Sequence, residues 1–328
     1  MPRVYALILL TVLSGSMHSA NASVNNADDA LPAPANGQCD RPKEHYLNVD
    51  KTHLRYVENG AGPVVVLIHG NAGSVDDFDF QGLGGLCSNH RVIAVDRPGH
   101  GKSNRPNGSD ATLEFQTRLL HEALAQLGIT RPVLVGHSWG GALALAYAVA
   151  YPKDLSGVVL LAPAAYPDGG PDQFMRAVLK TPVIGDVSLT IGRICLGPHL
   201  LRKELRDAFY PDAVPEDYLR RASSSWLKHK QVRAILEDEY GLDKELKKLS
   251  EHYSEIAVPA VIVTGDHDKV VSAGANAFRL KTTIRQAQLI ELKNTGHQVP
   301  QTHPESISNA LNLISNTSAQ SRASEKLR

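Results

Sequence analysis

The chain has 328 residues, 42% hydrophobic and 21% charged, enough to bury one sizeable core with an insertion and unlike a disordered or fibrous composition. Lysine plus arginine equals aspartate plus glutamate at 34 each, so no basic surplus exists to attract phosphate backbones or anionic lipid. Aromatic residues make up only 5%, which leaves few stacking platforms, and nucleic acid is excluded as a partner on both counts.

At the N-terminus Arg3 precedes an apolar run, Val4 to Leu13, and Ala20-Asn21-Ala22 forms a small-x-small site before Ser23. This pattern predicts a cleaved signal peptide over residues 1–22 and an exported protein, periplasmic or extracellular. At about ten residues the run is too short for a membrane-spanning anchor, which needs around 20. Export would place the three cysteines, Cys39, Cys87 and Cys195, where disulfides form. Three is odd, so at most one bridge closes, and the sequence leaves all three pairings open, as well as three free thiols. Residues 23–43, with Asn25-Asn26-Ala27-Asp28-Asp29 and Pro32-Ala33-Pro34-Ala35, read as a mobile mature N-terminus.

His45 to Val49 and His53 to Val57 alternate as an antiparallel hairpin would. Short apolar runs follow at Val64 to Ile68, Val92 to Val95, Val133 to Val135, Val158 to Leu161, Ala260 to Val263 and Ala287 to Glu291. Helical patterns at Ala111 to Leu127, Gly140 to Ala150, Ala273 to Leu280 and Pro304 to Ile314 separate most of them. Runs without alternation, spaced by helices, predict an α/β fold: a mostly parallel sheet with helices on both faces. Between Ala162 and Ile256 that rhythm stops. Helical stretches are expected there at Gln173 to Leu179, Leu200 to Phe209, Glu216 to Lys230, Val232 to Glu239 and Leu242 to Tyr253. The tail, 317–328, is polar and reads as disordered.

Chemistry concentrates where a strand runs into Gly136-His137-Ser138-Trp139-Gly140 and then an alanine-rich helix. Gly-x-Ser-x-Gly in that setting predicts a tight turn that holds a serine hydroxyl above the sheet edge. A serine is a poor nucleophile until an imidazole takes its proton, and the imidazole needs a carboxylate to orient it. Downstream, Gly265-Asp266-His267-Asp268 ends one strand and Gly296-His297 follows another, in the chain order serine, acid, histidine.

These segments together resemble the α/β-hydrolase superfamily, of the lidded esterase, dehalogenase and epoxide hydrolase type, over roughly residues 45–316. The resemblance implies Ser138 as nucleophile, Asp268 as the acid of Gly-x-x-Asp, and His297 as general base. It also implies that His69-Gly70-Asn71 is the oxyanion loop, with the backbone amides of Asn71 and Trp139 as donors. Asp96-Arg97-Pro98-Gly99-His100-Gly101-Lys102-Ser103 matches a structural turn of the family rather than a catalytic one. The dehalogenases and epoxide hydrolases carry aspartate where this chain has Ser138, which argues against both activities. The domain organisation implied is a core over 44–162 and 257–316, with a helical cap over 163–256 inserted after the sixth strand to form the far wall of the pocket.

Plainer readings compete at several positions. Asp266 would be a turn residue, and an adjacent Asp-His-Asp run cannot easily converge three ligands on one metal ion. His69, His100 and His137 read as supporting residues of turns. Trp139 either packs beneath the elbow or lines the pocket, and Trp226, the cap's tryptophan, either contacts substrate or packs the cap onto itself. The expected activity is hydrolysis of an ester or similar acyl bond on a small molecule, without metal or cofactor. Lactonase, carbon-carbon bond hydrolase, aminopeptidase and cofactor-free peroxidase chemistry on the same residues are alternatives, and a non-catalytic binding protein is another.

Overall fold

The computed structural model describes residues 41–83, 85–106, 111–169 and 184–326. The predicted signal peptide, most of the predicted mobile N-terminus, Cys39 and the predicted cap helix Gln173 to Leu179 lie outside the described residues.

Eight strands form one sheet: β1 Lys43–Val49, β2 Thr52–Asn59, β3 Val64–Ile68, β4 Arg91–Val95, β5 Val133–His137, β6 Gly157–Leu161, β7 Ala260–Gly265 and β8 Gln288–Leu292. Their order is β1-β2-β4-β3-β5-β6-β7-β8. β1 pairs antiparallel with β2 and β2 with β4, and every later pairing is parallel. Each apolar run predicted as a strand is one. The two faces explain why those runs do not alternate. Val66, Ile68, Ile93, Leu134, Val158 and Ile262 pack on one side, against the helices α1 Leu113–Gln126 and α2 Trp139–Ala150. Val65, Leu67, Ala94, Val135, Val159 and Val263 pack on the other, against Ile307, Leu311 and Ile314. Fully burying a side chain of this size contributes about 1.5–3 kcal/mol, so both faces reward apolar residues at consecutive positions.

The chain leaves β3 for β4 on one side and later returns to lay β5 on the other. The C-terminal ends of β3 and β5 therefore flank the sheet's topological switch point, where the diverging connections leave a crevice.

Between β6 and β7 lie α3 Ile184–Cys195, α4 Gly197–Phe209, α5 Glu216–Ser225 and α6 His229–Leu249. Two predicted boundaries there are wrong. The stretch expected as one helix from Glu216 to Lys230 breaks after Ser225, and the two expected at Val232 to Glu239 and Leu242 to Tyr253 are the single helix α6. Gly241 lies between the two expected helices, but α6 buries Ala234, Asp238, Leu242 and Leu246 along one face and Leu236 beside it, and that burial outweighs about 1 kcal/mol of glycine propensity. After β7, a π-helical turn Gly274–Phe278 leads into α7 Arg279–Thr283; after β8 come α8 Val299–Thr302 and α9 Glu305–Lys326. The tail expected to be disordered is helical as far as Lys326, because Ser315 to Lys326 is polar but contains no glycine or proline to end the helix.

Cys87 is disulfide-bonded and Cys195 is free and exposed, which leaves Cys39 as the chain's remaining cysteine. No helix among the described residues is long and apolar enough to cross a membrane.

Candidate active site

The elbow is where sequence and geometry meet most directly. Ser138 adopts φ 53° and ψ −116°, a left-handed conformation that costs a non-glycine residue strain and that the turn must hold in place. The strand and helix approach so closely that a Cβ on Gly136 would lie 2.2 Å from the Gly140 carbonyl oxygen. A Cβ on Gly140 would lie 2.3 Å from that of Ile68, so both positions require glycine. Trp139 opens α2, and its amide, in the first turn, has no acceptor within the helix.

Asp268 and His297 come together at this spot. His297 Nδ1 lies 2.8 Å from Asp268 Oδ2, and Asp268 Oδ1 accepts the amides of Val270 and Val271, each at 2.8 Å. Burial opposes the charge on Asp268, but His297 and the two amides outweigh it and hold the carboxyl below its usual range. Asp266 faces elsewhere: its Oδ1 lies 2.7 Å from His267 Nδ1 and 3.2 Å from the Thr295 amide. The two carboxylates of the Asp-His-Asp run thus engage different histidines.

The histidines read as supporting residues have specific partners that periodicity could not show. His137 Nε2 donates to the His297 carbonyl at 2.9 Å, and the two rings sit 4.8 Å apart, so His137 braces the segment that carries His297. Burial, then the neighbouring His297, pushes His137 down to about 3, which keeps it neutral. His69 Nδ1 donates to the Gly70 carbonyl at 2.7 Å while Nε2 accepts the Arg97 amide at 2.9 Å, a single neutral tautomer.

Ser138, His297, Asn71 and Trp139 all line one cavity of about 240 Å³, roofed by the helices between β6 and β7. Those helices do more than roof it. The amides of His297 and Gln298 donate to the Ala208 carbonyl on α4, at 2.8 and 3.0 Å. Asn71 Nδ2 donates to Glu239 Oε1 at 2.6 Å and to the Ile235 carbonyl at 3.1 Å, both on α6. Trp139 is 2% exposed and packs beneath the elbow, with the Arg97 guanidinium 4.0 Å above its ring, yet it also reaches the cavity wall. Trp226 likewise serves both roles, packing with Leu201, Leu205 and Tyr218 and lining the cavity.

Arg97 belongs to a buried network that the turn Asp96 to Ser103 brings against α6. Asp238 Oδ2 accepts Arg97 at 2.5 Å and His100 Nε2 at 2.9 Å, and Asp238 Oδ1 accepts Arg105. Nothing in the local sequence marks Asp238 or Glu239 as a partner of residues more than a hundred positions away.

Glu239 provides a test by pH. Burial first, then the charge of Asp238, outweighs the bond from Asn71 and pushes Glu239 up to about 7. A carboxyl raised on folding stabilises while protonated and loses that contribution as pH rises from its unfolded value, about 4.3, towards about 7. Glu239→Gln should therefore gain stability relative to the parent chain between about pH 5 and pH 8, read from urea melts at both ends. A difference that stays flat with pH would mean Glu239 is ionised throughout.

The Alpha/beta hydrolase family matches residues 65–310. The chain is 25% identical over 306 residues to Lipase 1 of Psychrobacter immobilis, covering 89% of this chain and 90% of that protein. It is 29% identical over 281 residues to a 2-hydroxy-6-oxononadienedioate/2-hydroxy-6-oxononatrienedioate hydrolase of Burkholderia vietnamiensis, covering 79% and 91%. Among solved structures it superposes on a bromoperoxidase from Bacillus anthracis with a TM-score of 0.68 at 21% identity, covering 84% of this chain and 100% of that one. The strand order, the elbow and this family match agree: the chain belongs to the alpha/beta hydrolase family.

Proposed function

We propose that the chain hydrolyses carboxylic esters through an acyl-enzyme on Ser138. The observation that carries this is the 2.8 Å pairing of His297 Nδ1 with Asp268, beside a serine on a left-handed elbow lining the same cavity. With Nδ1–H given to Asp268, the lone pair on His297 Nε2 is left to take the Ser138 proton. The Ser138 oxygen then bonds to the substrate carbonyl carbon, and the backbone amides of Asn71 and Trp139 receive the oxyanion. Collapse expels the alcohol, which takes the proton from His297. Water, deprotonated by His297, then attacks the acyl carbon and returns the acid and free Ser138. The described helices between β6 and β7 act as a cap that shapes the pocket. Lipase 1 of Psychrobacter immobilis supports an ester as substrate.

The Burkholderia vietnamiensis hydrolase raises carbon-carbon bond cleavage as a second reading. A dioate substrate would bring two negative charges into a cavity where burial already pushes the carboxyls of Asp77 and Glu239 up to about 7, so the surroundings disfavour added negative charge, which argues for the ester.

A fluorophosphonate probe should label the parent chain at Ser138, and Ser138→Ala should lose labelling and about a factor of 10⁶ in kcat on short-chain esters while keeping its fold. Ester turnover in Ser138→Ala near the parent rate would end the proposal.

The same reading includes export. The disulfide at Cys87 suits an oxidising compartment and supports the signal-peptide pattern of residues 1–22. Protein recovered from outside the cytoplasm should begin at Ser23 on N-terminal sequencing, and a mature chain starting at Met1 would contradict it.

A further inference from the structure

The loop that carries Asn71 is held from two sides, and one of the two holds comes from α6. A Cβ on Gly70 would lie 3.1 Å from the Ser138 Cβ, so this loop rests directly on the elbow. The Gly70 carbonyl accepts His69 Nδ1 at 2.7 Å and Arg97 Nη2 at 3.1 Å. In a trans peptide the N–H points opposite to the C=O, so the Asn71 amide is directed away from those two side chains. Among the described residues that amide has no hydrogen-bond acceptor, which leaves its proton for a reacting oxygen.

The next residue makes this arrangement vulnerable. Ala72 has φ 62°, a left-handed conformation strained for any residue with a Cβ, and such a turn keeps its shape only where its surroundings over-determine it. The Asn71 side chain supplies that constraint. Its Oδ1 accepts the Ala72 amide at 3.0 Å, and its Nδ2 donates to the Ile235 carbonyl at 3.1 Å and to Glu239 Oε1 at 2.6 Å. Backbone groups alone fix which way this side chain faces: the Ala72 N–H can only donate and the Ile235 carbonyl can only accept. Nδ2 therefore faces α6, and Glu239 Oε1 is the acceptor whether or not its carboxyl carries a proton.

We propose that Glu239 is a positioning residue of the reaction: by holding the Asn71 side chain it fixes the peptide whose N–H receives the oxyanion. This rests on the ester-hydrolase reading and adds to it a residue, on a helix between β6 and β7, that governs the rate of the chemical step. Glu239 acts through Asn71 and not on the reacting atoms. It also lines the cavity, but a contact with substrate would appear in KM, whereas misplacement of an oxyanion donor appears in kcat.

The test uses propyl butyrate, with reactive sites counted by fluorophosphonate labelling of Ser138 and folding established by urea melts. Glu239→Met removes the acceptor and should lower kcat per labelled site by about tenfold to hundredfold while KM stays within about threefold, less than the loss of about 10²–10³ on deleting a whole oxyanion donor. Affinity for pentyl trifluoromethyl ketone should fall by a similar factor. In that adduct the Ser138 oxygen bonds to the carbonyl carbon, the serine proton passes to His297, and the carbonyl oxygen becomes the oxyanion. Glu239→Gln keeps an acceptor for Asn71 Nδ2 and should recover most of the rate. Asn71→Ala, which keeps the backbone amide and loses the side chain, should slow kcat to a similar extent, and combining it with Glu239→Met should cost no more than the slower single variant, because both remove one interaction. A Glu239→Met rate equal to the parent's, a loss confined to KM, a Glu239→Gln loss as large as that of Glu239→Met, or losses that multiply in the double variant would each overturn this proposal and leave the ester reading standing. A parent chain that neither hydrolyses the ester nor takes the label would overturn both readings together.

Discussion

Asp268→Asn should lower kcat on an ester substrate by about 10⁴, whereas Asp266→Asn should change it by less than about tenfold. The difference follows from what each carboxylate touches. Asp268 is held by two backbone amides at 2.8 Å, so its remaining oxygen is fixed on His297 Nδ1, and its side chain is fully buried. Replacing it with asparagine removes the charge that stabilises the imidazolium and can present an amide N–H where an acceptor is needed, favouring the wrong tautomer. Asp266 pairs with His267 and the Thr295 amide at a more exposed edge, where its loss reaches the site only indirectly. Steady-state kinetics on both variants, with circular dichroism to establish folding, would decide the matter. An equal or reversed ranking would assign the acid to the other position.

Asp238→Asn should destabilise the fold by about 3–5 kcal/mol, the cost of breaking a buried ion pair while leaving its partners in place. Arg97 is 1% exposed and Arg105 is 7% exposed at the side chain, so neither guanidinium can turn to water when the carboxylate is gone. Burial opposes ionisation of Asp238, but Arg105, Arg97 and His100 overcome it and keep the group charged far below the ordinary carboxylate range. The sign is that of a depressed carboxyl. Its stabilisation is complete above an ordinary carboxylate pKa, about 3.9, and is lost only as pH falls through the folded value. A urea melt near neutral pH should show a lower midpoint at an unchanged slope. A loss under about 1 kcal/mol would mean that the helices between β6 and β7 are held by their apolar contacts alone. Activity should fall as well, because α6 also carries Glu239, which holds Asn71, and because Arg97 lies over Trp139. The helices between β6 and β7 are therefore expected to affect the chemistry as well as the choice of substrate.

The eight strands and the three segments that carry Ser138, Asp268 and His297 were legible because each is a local event. A strand covered on both faces demands consecutive apolar residues, and the elbow demands glycine where the Gly140 and Ile68 carbonyls approach within the reach of a Cβ. Residue order along the chain carries that information by itself. Helix boundaries in the insertion were less legible, because the break after Ser225 and the continuity of α6 through Gly241 are decided by what the faces pack against.

Sequence alone thus determined the sheet, the elbow and which residues could supply a nucleophile, an acid and a base. Only the tertiary structure decided that His137 braces the segment that carries His297. It also decided that Asp238 neutralises Arg97 across 141 positions, and that Glu239 holds Asn71 across 168. The physical reason is that periodicity and turn chemistry record how each residue sits against its own element and solvent, whereas a buried ion pair or hydrogen bond is specified by two surfaces that meet only after the chain has folded.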